Sequence, residues 1–473
     1  MKAPLDLVRD RGGPELVERL LHLEATRGLI REASPPRAAP DQAASLDTDV
    51  LIAGGGLSLL LAPALVDRGL KVTVVERGRA GVTHREWNAS GPELEPLWTS
   101  GVLAREQVES AVLARYETGV CRWFGGGAYA VPGVLDHAVD AGRLLQQVRR
   151  ASDERGVVFL ERHEVVGELA GPGGIAVSAR PVDGGPLKTL SARLMIDARG
   201  AASPYASADL VCPTVGGVLQ DLEVDPKVGD ILATVDDAED GRQHVWEGFP
   251  GRARETTVYL FYYARSDAVP PDSLLRLYAR FFETRPRYAK GEGAFLRPTF
   301  GYIPGWSRLV PSPKAPGPRV ALFGDAAARH SALTYCGFGS MLRRFVPAAD
   351  AIQALLQRDD AKLRAPGLEL LPDEAIHAGT GALSALMSRP SPSPHALNAL
   401  LDAAFGSLAE MGPELYGALL RDQMAPRDFV RFLRHTSKKH PAVYREVFAA
   451  LGARSVARWG ASIAGSWMRS VNA

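Results

Sequence analysis

Cysteine is nearly missing from this chain: Cys121, Cys212 and Cys336 are the only three in 473 residues. With no metal-like spacing among them they exclude a disulfide scaffold and a structural zinc cluster, no metal site is expected, and a reducing compartment is the simple inference. No run of about 20 apolar residues occurs, which excludes an ordinary spanning helix. The first eleven residues alternate charged with apolar side chains and hold no hydrophobic region of signal-peptide length, so a cytoplasmic protein is expected. Charge of one sign is lacking too: 55 basic residues face 54 acidic ones, and nothing in that balance points to nucleic acid. No repeat of fixed period is found. What the chain does have is 46% hydrophobic residues, enough at this length for a large core in two or three lobes.

The N-terminal region of that core carries a motif. Thr48–Ala53 is an apolar strand, Gly54, Gly55 and Gly56 follow, and Leu57 and Ser58 lead into a helix; a second strand over 71–76 ends in Glu76, with Arg77 behind it. This is a βαβ unit in which glycines let the backbone close on a pyrophosphate, the helix N-terminus supplies N–H groups, and the terminal acid accepts ribose hydroxyls. The third position of G-x-G-x-x-G falls on Leu59. Taken alone, the segment could be a plain strand-turn-helix. Nearly three hundred residues later, Arg319–Asp325 is another apolar strand, ending in Gly324 and Asp325. A carboxylate there suits the ribityl chain of a flavin, which favours FAD over NAD, with NAD(P)H retained as a reductant. Between the two, 192–200 reads as a strand returning beside the cofactor, or as a surface hairpin.

The fold class expected is α/β: a two-part FAD-binding Rossmann-like domain with a β-sheet substrate domain and a C-terminal helical region. The divisions are an N-terminal helix and linker over 1–46, a first FAD-binding segment over 47–210, the substrate sheet over 211–305, a second FAD-binding segment over 306–360 and a helical cap over 361–473. Helical periodicity marks 13–30, 143–150 and 271–284. A meander is expected over about 163–190, and a strand over 256–263. After Ser340 the pattern is helical to the end, broken at 390–394.

Four motifs in this order resemble those of FAD-dependent lycopene cyclases of the green sulfur bacterial and cyanobacterial type, with their plastid paralogues. They are Gly54–Leu59; Arg85-Glu-Trp-Asn-Ala-Ser90; Trp246-Glu-Gly-Phe-Pro250; and Gly324-Asp325 through Cys336-Gly-Phe-Gly-Ser340. The chain departs from the family at Ser58, at Arg329-His330 and at Ala332. The resemblance implies a redox-neutral cyclisation of a carotenoid ψ-end group: proton in, ring closed, proton out, with reduced FAD supplying negative charge beside the cation. It also implies a hydrophobic, carotenoid-like substrate, and through that substrate a peripheral contact of the tail aromatics Phe432, Trp459 and Trp467 with the inner face of a membrane.

Site residues follow. Gly337, Phe338 and Gly339 lie in the segment 334–340 that runs into a helix expected from Met341, where the glycines could bring backbone N–H groups to the flavin, or form only a helix-start turn. Arg329 and His330 share that loop. Glu247, read as desolvated by Trp246, Phe249 and Pro250, is the candidate proton donor, against the alternative of a structural glutamate bound to an arginine. Glu86 is second. A flavin monooxygenase or reductase acting on a prenyl or polyketide substrate would use the same architecture, as would a non-catalytic flavoprotein paralogue. Gly301-Tyr-Ile-Pro-Gly is the nearest approach to a halogenase Trp-x-Trp-x-Ile-Pro segment and lacks both tryptophans. Nothing in the sequence bears on oligomeric state.

Overall fold

The computed structural model describes residues 2–27, 33–83, 85–206, 208–307, 309, 316–328, 330, 333–334, 337–358, 360–365, 368, 370, 377–390 and 393–471. Its first sheet is built around Thr48–Ala53, in which all but Asp49 are buried. A strand apolar without alternation is one covered on both faces, and this one pairs in parallel with Val72–Glu76 on one side and Lys188–Asp197 on the other. Val158–Glu161 extends the sheet beyond Val72–Glu76. Beyond Lys188–Asp197 lie the antiparallel strands Ile175–Pro181 and His163–Ala170, the expected meander. The late strand Val320–Leu322 runs parallel to the end of Lys188–Asp197, with Val320 opposite Met195. Segments 48–53, 192–197 and 320–322, far apart in sequence, therefore end at one edge of one sheet. That edge is where open α/β sheets bind ligands.

Among the described residues eight strands make the second sheet, and two of them come from the stretch expected to belong to the first domain. Thr118–Arg122 and Ala128–Pro132 join it beside Val228–Ala233, so 47–210 does not stay with the nucleotide-type sheet. The chain crosses over, adds two strands, and returns through the helix Ala141–Glu154. Alternating burial around Gly119, Cys121 and Val131 drives this, since it gives those short segments one apolar face to cover. The rest of the sheet is Val245–Pro250, Glu255–Phe261, Leu210–Glu223 and Lys290–Gly305, with Ala264–Arg265 at the start of Leu210–Glu223.

One face of this sheet is covered by Ser273–Tyr288 and by the N-terminal segment. That segment is two helices, Pro4–Gly12 and Pro14–Thr26, broken at Gly13 with φ 87°; Leu29 of the expected 13–30 helix lies outside the described residues. Val8, Leu16 and Leu20 are buried against the sheet, so these helices are part of the core. The opposite face carries the C-terminal helices Ala396–Met411, Pro413–Leu420 and Pro426–Lys439. Phe432 is buried there, so it is not one of the exposed tail aromatics, while Trp459 is half-buried and packs against the same cluster; the Trp467 side chain lies outside the described residues. Among the described residues no helix is long and apolar enough to cross a membrane.

Candidate active site

Gly54 sits at φ 117°, and a Cβ there would stand 2.5 Å from the Ala198 carbonyl oxygen. Only glycine is comfortable in that conformation, and the reason is the crossing of two strand ends: Ala198 N–H donates to Ala53 O and Gly54 N–H to Val75 O. Gly55 is squeezed against Ala80 and Glu76. Gly56 faces open space. The Glu76 carboxylate accepts from Gly55 N–H (2.6 Å) and Gly78 N–H (2.7 Å), so it holds the loop as well as standing at the strand tip. Arg77 is exposed.

The helix after the loop starts differently from the expectation. Leu57–Leu60 is a 3₁₀ turn, and α-helix begins only at Leu61. The Ser58 hydroxyl donates back to Gly54 O (3.2 Å) and is buried, while Leu59 is fully buried in the core under the sheet. Ser58 therefore acts on the loop backbone instead of presenting its hydroxyl outward, and Leu59 fills the space that a third glycine would leave for tighter packing.

Gly324, at φ 65°, begins a short 3₁₀ turn that turns Asp325 out of the strand end. The Asp325 side chain is 45% exposed and stands 3.9 Å from Nδ1 of the buried His330, whose Nε2 lies 3.1 Å from Pro304 O. Gly200 and Gly337 both approach this group. Gly337 is the first residue of the helix Gly337–Leu356, so its N–H and those just after it have no acceptor within the helix. Phe338 is buried and stacks on Trp87, ring centroids 4.6 Å apart. Gly339 has a packing cause as well: a Cβ would lie 2.5 Å from the Glu93 carboxylate, which pairs with Arg343 and caps the helix Gly91–Thr99. Arg329, Ala332 and Cys336 lie outside the described residues.

Glu247 lies in Val245–Pro250, directly opposite Tyr259 in the neighbouring strand. Strand periodicity corrects its expected surroundings. Trp246 points to the other face, stacked on Tyr288 at 4.8 Å and beside Phe281, so it does not flank the carboxyl. What surrounds Glu247 is its own face: Tyr259, Tyr116 and Cys212, each of which feels its charge. Burial raises the carboxyl from 4.5 to about 7, and a hydrogen bond from Asn88 Nδ2 (2.9 Å) partly opposes the rise. No arginine pairs with it among the described residues, unlike the structural glutamate that was the alternative.

Glu86 sits two residues before Asn88. Its carboxyl is also raised to about 7, by burial and then by the Asp140 charge, and Arg297 opposes this from 3.4 Å. One of its oxygens is buried without a hydrogen bond. Both glutamates thus hold protons near neutrality that an unfolded chain would release near 4.5. A raised carboxyl pKa favours the folded state below the unfolded value, and that benefit is lost as pH climbs to the folded value. Urea unfolding should therefore show stability falling between about pH 4.5 and 7, and Glu247→Gln should flatten that fall.

Strand Trp87–Ala89 ties the two halves together. Trp87 touches Phe338 of the cofactor-side helix, and Asn88 reaches Glu247 of the second sheet. The motif around Trp87 stands out in the sequence, but Asn88 acquires a role only in the fold. Tyr116 carries no sequence signal and Tyr259 only that of the strand expected over 256–263, since the fold alone brings them to Glu247.

No protein-family model matches the chain, and neither does any curated protein sequence. Solved structures do resemble it. A geranylgeranyl bacteriochlorophyll reductase-like protein from Thermoplasma acidophilum superposes with a TM-score of 0.60 at 15% identity, over 85% of this chain and 99% of that one. A flavoprotein/dehydrogenase from Cytophaga hutchinsonii gives 0.56 at 14%, over 83% and 97%. The halogenase PltM in complex with phloroglucinol and FAD gives 0.56 at 12%, over 88% and 97%. The fold is that of flavoproteins, with the mixed α/β architecture and helical C-terminus expected from the sequence.

Proposed function

We propose that the chain is an FAD-dependent enzyme that protonates a hydrophobic, unsaturated substrate, with Glu247 as the proton donor. The observation that carries this is a desolvated carboxyl, raised to about 7 and with no ion-pair partner among the described residues, held by Asn88 in the strand whose Trp87 packs on Phe338 at the start of the cofactor-side helix. FAD fits the strand-end edge. Gly56, which faces open space, would admit a pyrophosphate, Glu76 would meet ribose hydroxyls, the half-exposed Asp325 would accept from the ribityl chain, and the N–H groups of Gly337 onward would suit an electron-rich ring edge. When bound and reduced, FAD would supply negative charge or a hydride. The protein's own task is to hold the proton on Glu247, to position it through Asn88, and to keep water away with Tyr116, Tyr259 and Phe249.

Redox-neutral cyclisation of a carotenoid ψ-end is the finer reading, supported by the four sequence motifs. A second reading, reduction of a prenyl double bond, is favoured by the reductase-like neighbour, since it too needs a proton donor. Production in a lycopene-accumulating bacterial host separates them. Cyclic carotenes replacing lycopene support cyclisation, more saturated products support reduction, and oxygenated products point to a monooxygenase. Asp325→Ala should weaken FAD by about 1.5–3 kcal/mol, the range for a hydrogen bond to a charged group, as read by fluorescence titration of the apoprotein; unchanged affinity would remove Asp325 from the cofactor site.

A further inference from the structure

Two adjoining clefts on the Glu86 side share Asp140, Gly142 and Arg252. Their volumes are about 400 and 370 Å³, and six arginines line them: Arg19, Arg85, Arg143, Arg150, Arg252 and Arg297. Only two acids, Asp140 and Glu86, stand among them. Arg252 is paired with Asp140, and Arg297 with Glu86 and Glu255. Arg85, Arg143 and Arg150 have no ion-pair partner among the described residues, and Arg19 lies over the Phe300 ring at 5.0 Å. An excess of unpaired guanidinium groups in a concave site is a recognition surface for phosphate oxygens, which their planar forks bind two at a time.

We infer that this cleft binds a diphosphate group. Its place in the fold gives the group a use. Arg85 packs over Gly301, where a Cβ would stand 2.6 Å from its guanidinium, and Tyr259, opposite Glu247, donates to Glu86 O at 2.7 Å. Asn88 stands three positions after Arg85, roughly 10 Å along an extended chain, so a ligand anchored by its diphosphate can extend toward Glu247. The chemistry has two sources: the diphosphate of a nicotinamide dinucleotide, or that of an isoprenoid diphosphate substrate. Diphosphate binding needs the arginines alone and stands apart from the cyclisation reading.

The test is calorimetric titration of inorganic pyrophosphate into FAD-saturated full-length protein, with bound FAD followed by absorbance. Binding should weaken at least tenfold in Arg143→Gln/Arg150→Gln, whose exposed side chains make no hydrogen bond or ion pair among the described residues, and in Arg85→Gln. Competition by NADPH identifies the dinucleotide, and competition by farnesyl diphosphate identifies the substrate head. Pyrophosphate that fails to bind, binds only by displacing FAD, binds the variants as well as the wild type, or is displaced by neither ligand overturns the assignment.

Discussion

Glu247→Gln should keep the fold and the cofactor yet lose turnover by roughly 10² to 10⁴, the usual worth of a positioned general acid. The glutamine can still accept from Asn88 Nδ2, which lies 2.9 Å from the present carboxylate oxygen, so packing is preserved while the proton is gone. Glu247→Asp should recover little, because the carboxyl withdraws by one methylene from Asn88 and from the substrate face. Wild-type activity should be present below about pH 7 and fall above it, as the carboxyl held at that value gives up its proton. Steady-state rates measured from mildly acidic to mildly alkaline pH check both points. A Gln variant turning over at near the wild-type rate excludes Glu247, and Glu86, also raised to about 7, becomes the residue to test.

The glycine loop should separate fold from ligand. Gly54→Ala puts a side chain at φ 117° and 2.5 Å from Ala198 O. Strain of that kind costs about 1–3 kcal/mol, so the apoprotein should unfold at lower urea and FAD affinity should drop by about 5- to 150-fold. Gly56→Ala has φ −80° and meets nothing within 4 Å. It should leave the apoprotein as stable as wild type and weaken FAD alone, because its Cβ would stand where the pyrophosphate must approach. If both substitutions destabilise the apoprotein equally, or Gly56→Ala binds FAD normally, the cofactor is not on this loop.

Much of the fold can be read from the sequence because its strongest signals are local. The buried strand Thr48–Ala53, the helix Ala141–Glu154 and the Gly-rich turns of the meander declare themselves in short runs of residues. The assignment of Thr118–Arg122 and Ala128–Pro132 to the second sheet is not legible there, since the pairing of Thr118–Arg122 with the distant Val228–Ala233 leaves no trace in either segment. The site divides in the same way. Gly54 and Glu76 follow from spacing. The partners of Glu247 do not: Trp246 is adjacent in sequence but faces Tyr288, whereas Tyr259, Tyr116 and Asn88 come to the carboxyl from three other strands or loops. Adjacency in a strand places a neighbour on the opposite face, so the residues that desolvate an acid are found across the sheet.

In the proposed cyclisation a proton from this protein, and not a net pair of electrons, converts the substrate. Running the FAD-loaded enzyme on lycopene in D₂O under anaerobic, reducing conditions while counting reductant consumed per product separates the two. One solvent-derived deuterium is expected for each ring formed, with no reductant consumed in proportion to product. Stoichiometric reductant, with the product heavier than the substrate by added hydrogen, would contradict it.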